Sequence, residues 1–149
     1  MIYILWAVII FFTIIVQGSI SLFDITPNFT AALAYYLGIK RGEMKGLFLG
    51  SLIGIVEDCL SSSFLGPNLL SKGLIGYLSS VISKKIFIWT PVLGIISISM
   101  LTITDSFIVF ISKSLFHIMP MSVHTALFIM LIQSLLNAPM GIFIKPDEK

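Results

Sequence analysis

Residues 42–58 read GEMKGLFLGSLIGIVED, a stretch in which Gly42, Gly46, Gly50, Gly54 and Asp58 recur at every fourth position. Four residues are slightly more than one helical turn, so these five positions form a row along one helix face. Glycine inside a helix costs up to ~1 kcal/mol relative to alanine. A row of glycines therefore implies that a neighbouring backbone approaches closely, as small residues permit between helices in lipid. The residues between the glycines are mostly large and apolar. The stretch predicts a helix over about 46–60 that packs by its glycine face and turns its other faces to an apolar solvent.

The rest of the chain has the same solvent preference. Of 149 residues, 57% are hydrophobic and 11% are charged, and mean hydropathy is +1.07. A soluble domain carries roughly 25% charged residues, so an ordinary cytosolic enzyme and a disordered chain are both excluded. Nine basic and seven acidic residues leave a net charge of +2, with no basic patch for a phosphate backbone, which excludes nucleic acid as a partner. Membrane lipid is the expected surrounding. Six spans of about 20 residues would use roughly 120, leaving short loops and no domain outside the bilayer.

The expected architecture is a single all-α integral membrane domain over 1–149, a six-helix bundle with spans at about 2–20, 27–39, 46–60, 69–83, 86–111 and 121–144. The first sixteen residues carry no charge, whereas a cleaved secretory signal starts with basic residues, so the first span is read as retained. Thr26 followed by Pro27 predicts the cap and first residue of the second helix. Gly66-Pro67 marks a turn. Lys40, Arg41 and Lys45, then Lys84 and Lys85, then Lys145 and Lys149 fall on one side of the six-span arrangement, against Lys113 alone on the other. Basic residues stay on the cytoplasmic side, which places both termini in the cytoplasm of a bacterial cell (inner or plasma) membrane protein.

Spans three and four are expected to form an antiparallel hairpin with its apex near Leu65. Gly54 then faces Gly76, Gly50 faces Ser80, and Asp58 faces Lys72. A lysine inside a span costs ~2.5–3.5 kcal/mol on insertion scales, and the opposite charge of Asp58 would offset much of that. Glu57, turned about 100° away on the same helix, has no evident mate and is expected at water, headgroups or another subunit. Asp105 either caps a helix end or joins the Lys72 cluster. Thr90, Gly94, Ser97 and Thr104 form a stripe that faces protein, and Gln133, Asn137 and Gly141 share a face of span six. His124 reads as a hydrogen-bonded interface residue with His117 its only imidazole companion, and Cys59 as a small buried side chain.

Nothing in the chain supports chemistry. Asp58 and Asp105 are the two aspartates available for an intramembrane aspartic protease, but their flanks, Glu-Asp-Cys-Leu and Thr-Asp-Ser-Phe, carry no catalytic motif. There is no HExxH and no Gly-rich phosphate loop. The expectation is a protein that is not an enzyme and takes no metal or cofactor.

Pro27-Asn28-Phe29, Arg41-Gly42, the spaced Gly46, Gly50, Gly54 and Asp58, then Leu65-Gly66 and Gly76-Tyr77-Leu78, resemble in order and spacing the MreD family of bacterial rod shape-determining membrane proteins. The likeness covers about residues 25–85, while residues 86–149 match only in length and hydropathy. It implies a fold related to the S components of energy-coupling transporters, with Gly50, Gly54, Asp58, Gly66 and Gly76 shaping the bundle. It also implies a non-catalytic scaffold of the elongation machinery that controls cell shape and peptidoglycan synthesis. The implied partners are an MreC-like one-span protein, a RodA-type glycosyltransferase with its transpeptidase, and indirectly MreB. Glu57 and Lys72 depart from the family pattern. The alternative is a solute-binding subunit of an energy-coupling vitamin transporter, for which Glu57, Asp58, Lys72 and Asp105 would line an outward pocket.

Overall fold

The structure is a computed structural model that describes residues 2–20, 25–61, 65–85, 89–116 and 122–146, with the side chains of the first helix from Val8 onward. Seven helices make up the described residues: α1 (Ile2–Ser19), α2 (Phe29–Arg41), α3 (Glu43–Leu60), α4 (Pro67–Lys85), α5 (Pro91–Leu115), α6 (Val123–Asn137) and the one-turn α7 (Met140–Phe143). Asp24, residues 62–64 of the expected turn, residues 86–88 of the fifth expected span, His117, Met121 and Lys149 lie outside the described residues.

Local chemistry sets most boundaries. Asn28, not Thr26, caps α2: its side-chain oxygen accepts the amide of Ala31, and asparagine is the stronger N-cap. Gly42, at φ 87, separates α2 from α3, a left-handed conformation that a side chain disfavours. Pro67 opens α4 and Pro91 opens α5, where a missing amide proton costs nothing; Thr90 caps the latter. Pro139 interrupts the sixth expected span, because proline cannot continue the ladder of the preceding turn. The helix resumes as α7.

The glycine row packs α3 against α4 as expected in kind, but in another register. A methyl at Gly46 would collide with the Gly76 carbonyl, one at Gly50 with the Lys72 carbonyl, and one at Gly54 with the Asn68 carbonyl. The expected pairs of Gly54 with Gly76, Gly50 with Ser80 and Asp58 with Lys72 are therefore corrected by one helical turn on each helix. The physical reason is the connection. Asp58, in the last turn of α3, holds the start of α4 directly. Its carboxylate accepts the amides of Gly66 (2.9 Å), Asn68 (3.3 Å) and Leu69 (3.2 Å). Gly66 takes the turn at φ 140. On the other side of the row, Gly38 of α2 meets Gly76 and the Ser79 hydroxyl, so three backbones cross at Gly38, Gly46 and Gly76. A second backbone contact, Gly94 against Gly141, ties α5 to α7. Helix α1 sits at the periphery and packs chiefly on α2.

The interior and exterior are inverted relative to a water-soluble bundle. Among the described residues, 28 large hydrophobic side chains are exposed, while buried polar residues equal buried hydrophobic ones at 13 each. Soluble monomers rarely expose apolar surface on that scale. Among the described residues two helical stretches, Pro91–Leu115 and Val123–Phe143, are long and apolar enough to cross a membrane, and Val8–Ser19 is a shorter apolar helix. Helices α3 and α4 are less apolar because they carry the buried Asp58, Asn68, Ser71, Lys72, Ser79 and Ser80 and, at the other end, the exposed Lys45, Lys84 and Lys85, and α2 has only 13 residues. Cys59, expected inside, is exposed on α3: it follows Asp58, which occupies the inward position, by 100°.

Candidate functional site

Lys72 lies one turn into α4, 1% exposed, at the end of the bundle where α1 and α3 finish and α2 begins. An ammonium has three protons to donate, and three acceptors converge on it: Asn68 Oδ1 at 2.9 Å, Asp105 Oδ2 at 3.1 Å and Glu57 Oε2 at 3.1 Å. Asp58 is not among them. The expected Asp58–Lys72 pair is replaced by one bridging residue, since Asn68 accepts from Lys72 and donates to Asp58 at 2.8 Å. Glu57, expected to lack a mate, is instead a principal partner of Lys72. The shifted register accounts for the first correction: the Lys72 backbone crosses Gly50, and Asn68 takes the place beside Asp58. Asp105 joins the cluster, the second of its two expected fates.

Every carboxylate oxygen in the cluster has a donor. Asp105, fully buried, accepts Asn28 Nδ2 and Lys72 on one oxygen and the Ser71 hydroxyl on the other. Glu57 accepts Thr30 Oγ1 at 2.7 Å beside Lys72, and Gln17 Nε2 at 3.3 Å on its second oxygen. Gln17 also receives the Thr30 amide at 3.0 Å. The network then reaches α6: Asn137 donates to the Asn28 carbonyl (2.7 Å) and to Thr102 (3.1 Å), and Gln133 donates to the Thr26 carbonyl (3.0 Å) while accepting from Ser106 (2.8 Å). One continuous polar array thus joins α1 through α6. Breaking such a buried pair from one side costs ~3–5 kcal/mol, because the abandoned charge stays buried.

Beside the array lies a cavity of about 290 Å³. Glu57, Lys72, Asp105 and Lys113 supply its charges. Val109, Phe110, Ile129 and Met130 supply an apolar wall, with Phe110 the one aromatic side chain among the described lining residues. Among the described residues no group of three or more His, Cys, Asp or Glu is placed to hold a metal ion. His124 is exposed. Comparison with known protein families, with curated proteins and with solved structures finds no match.

The candidate residues therefore divide by role. Gly46, Gly50, Gly54 and Gly76 are backbone contacts, Gly66 is the turn, and Asp58 is the helix cap. Glu57, Lys72 and Asp105 make the charge cluster, and Ser80 is buried on α4. The sequence reading missed Gln17, Asn28, Thr30, Asn68 and Ser71 as cluster members. A signal for Asn68 was present, four residues before Lys72 and so on the same face. Asn28 and Thr30, at the start of α2, and Gln17 on α1 lie on other helices than Lys72 and have no periodic signature linking them to it.

Proposed function

We propose that the chain is a six-span membrane protein with both termini cytoplasmic, acting as a non-catalytic scaffold of the MreD type in bacterial cell elongation. The observation that carries this reading is the inversion described above: a lipid-compatible exterior around an interior tied together by one polar array and by glycine contacts. Such an interior favours a rigid body over a turning-over active site. The lateral faces of α1, with Val8, Phe11, Phe12 and Ile15 exposed, offer the kind of surface to which one-span partners dock. The order of the glycine, aspartate and Gly66 positions supports the MreD likeness, and with it an MreC-like partner and the RodA-type glycosyltransferase with its transpeptidase, MreB being engaged indirectly.

Depletion in a rod-shaped host tests the role. Round or swollen cells, without any nutrient requirement, are expected, together with co-purification of a one-span coiled-coil protein; normal rods would overturn it. Topology has its own test. Cys59, exposed near the outer end of α3 on this reading, should react with an impermeant maleimide added to intact spheroplasts, whereas a cysteine replacing Met44 should not.

The cavity beside Lys72 favours a second reading, a solute-binding subunit of an energy-coupling transporter. Its single aromatic wall residue supplies little stacking surface for a vitamin ring. Vitamin auxotrophy with normal shape after depletion would favour this reading over the first.

A further inference from the structure

Two charged groups in the cavity wall retain capacity for a ligand. Lys72 has spent its three donors, and Asp105 is enclosed. Glu57 is different: its Oε1 takes only the long 3.3 Å bond from Gln17, and a carboxylate oxygen has two lone pairs. Lys113 lines the same cavity, half-buried, and makes no hydrogen bond or ion pair among the described residues. Glu57, Asp105 and Lys72 together carry one uncompensated negative charge, and Lys113 balances it from a point about 12 Å further along α5 than Asp105. Glu57 and Lys113 thus line opposite-signed ends of one cavity, which suits a short zwitterion.

We propose that this cavity binds a phosphoethanolamine group, with the ammonium on Glu57 and the phosphate at Lys113. Glu57 Oε1, with its one long bond from Gln17, can accept a second N–H, which a primary ammonium supplies and a quaternary one does not. A quaternary ammonium is instead held by aromatic cages, and Phe110 alone makes no cage. An anionic headgroup without an ammonium leaves that remaining lone pair of Glu57 unused. The volume lies at the small end of ligand pockets, roughly 300–1,000 Å³, enough for a headgroup but not for acyl chains. Val109, Phe110, Ile129 and Met130 then cover the apolar part of the ligand, and Phe107 and Ile111, exposed beside Phe110 on α5, continue that surface outward. The shared chemistry is the ammonium–phosphate pair, carried either by a phosphatidylethanolamine lipid or by a free solute. The proposal rests on the six-span reading, which places the cavity at headgroup depth, and does not depend on the elongation role.

The test uses the full chain in mild detergent, stripped of lipid, with binding read by native mass spectrometry and calorimetry. Saturable one-to-one binding of dihexanoyl phosphatidylethanolamine is expected, with the choline and glycerol analogues at least tenfold weaker. Lys113→Ala should weaken binding about tenfold, the effect of losing one hydrogen bond to a charged group, and Lys113→Glu should abolish it. Because Lys113 has no partner to lose among the described residues, both variants should keep the parent unfolding temperature. Glu57→Gln should weaken the ethanolamine lipid selectively. Free O-phosphoethanolamine binding as tightly as the lipid assigns the site to a solute, and much weaker binding assigns it to the membrane. Equal binding of the choline lipid, or full binding by Lys113→Glu, overturns the proposal whatever the shape of depleted cells.

Discussion

Replacing Lys72 by methionine keeps the length of the side chain and removes its charge, leaving Glu57 and Asp105 facing each other's surroundings with no cation between them. The two bonds lost to carboxylates are each worth ~1.5–3 kcal/mol, which gives about 3–6 kcal/mol. The measured cost of breaking a buried ion pair from one side, ~3–5 kcal/mol, falls in the same range. Lys72→Met should therefore lower the unfolding free energy by about 3–5 kcal/mol, measured by denaturant titration of the purified chain in mild detergent. In an Asp105→Asn background the same substitution should cost at least about 1–2 kcal/mol less, because one abandoned charge is already gone and contacting residues couple by ~0.5–3 kcal/mol. Coupling to Asp58 should be smaller, since Asn68 stands between them. Additive losses with Asp105, or stronger coupling to Asp58 than to Asp105, would refute the cluster as described.

The register of α3 on α4 can be read by disulfide trapping. With Cys59 replaced by serine, Ser51→Cys with Gly73→Cys should cross-link, because a Cβ at Gly73 lies 3.6 Å from that of Ser51, close to the ~3.8 Å of disulfides; cysteines at 54 and 76 should not. Gly50→Ala should destabilise by ~1–3 kcal/mol, the usual cost of overpacking, whereas Gly18→Ala, inside α1 with no described atom near the added methyl, should be neutral or stabilise by up to ~1 kcal/mol in the same titration. Asp58→Ala should speed hydrogen exchange at the Asn68 and Leu69 amides and cost ~0.5–2 kcal/mol as a lost helix cap. Unchanged exchange there would remove Asp58 from that role.

The helices were legible in the sequence because their signals are local. The period-four glycine row, the Gly66-Pro67 turn, and the charge clusters at Lys40–Arg41 and Lys84–Lys85 each act within one or two turns, although α4 and α5 begin at Pro67 and Pro91 rather than at the expected 69 and 86. The register of α3 on α4 was not legible. It depends on which backbone amides Asp58 takes, and a side chain capping the amides of Gly66, Asn68 and Leu69 looks no different in sequence from one facing a lysine. That single displacement changed the partner of Lys72 from Asp58 to Glu57 and Asp105. Asn28 shows the same limit: its cap on Ala31 was within local reach, but its bond to Asp105 crosses 77 positions of the chain.

On the six-span reading, the inward polarity of α3 and α4 has a consequence for biogenesis. Glu57, Asp58 and Lys72 make each helix a poor candidate for entering lipid by itself, since lone charges oppose partitioning. The cap of Asp58 on the first turn of α4, and the glycine contacts below it, can form as soon as both segments have left the ribosome. The pair should then pass through the lateral gate together, as one preassembled unit. A force profile taken with a translational arrest peptide would register one late pull for the two segments, in place of two separate ones.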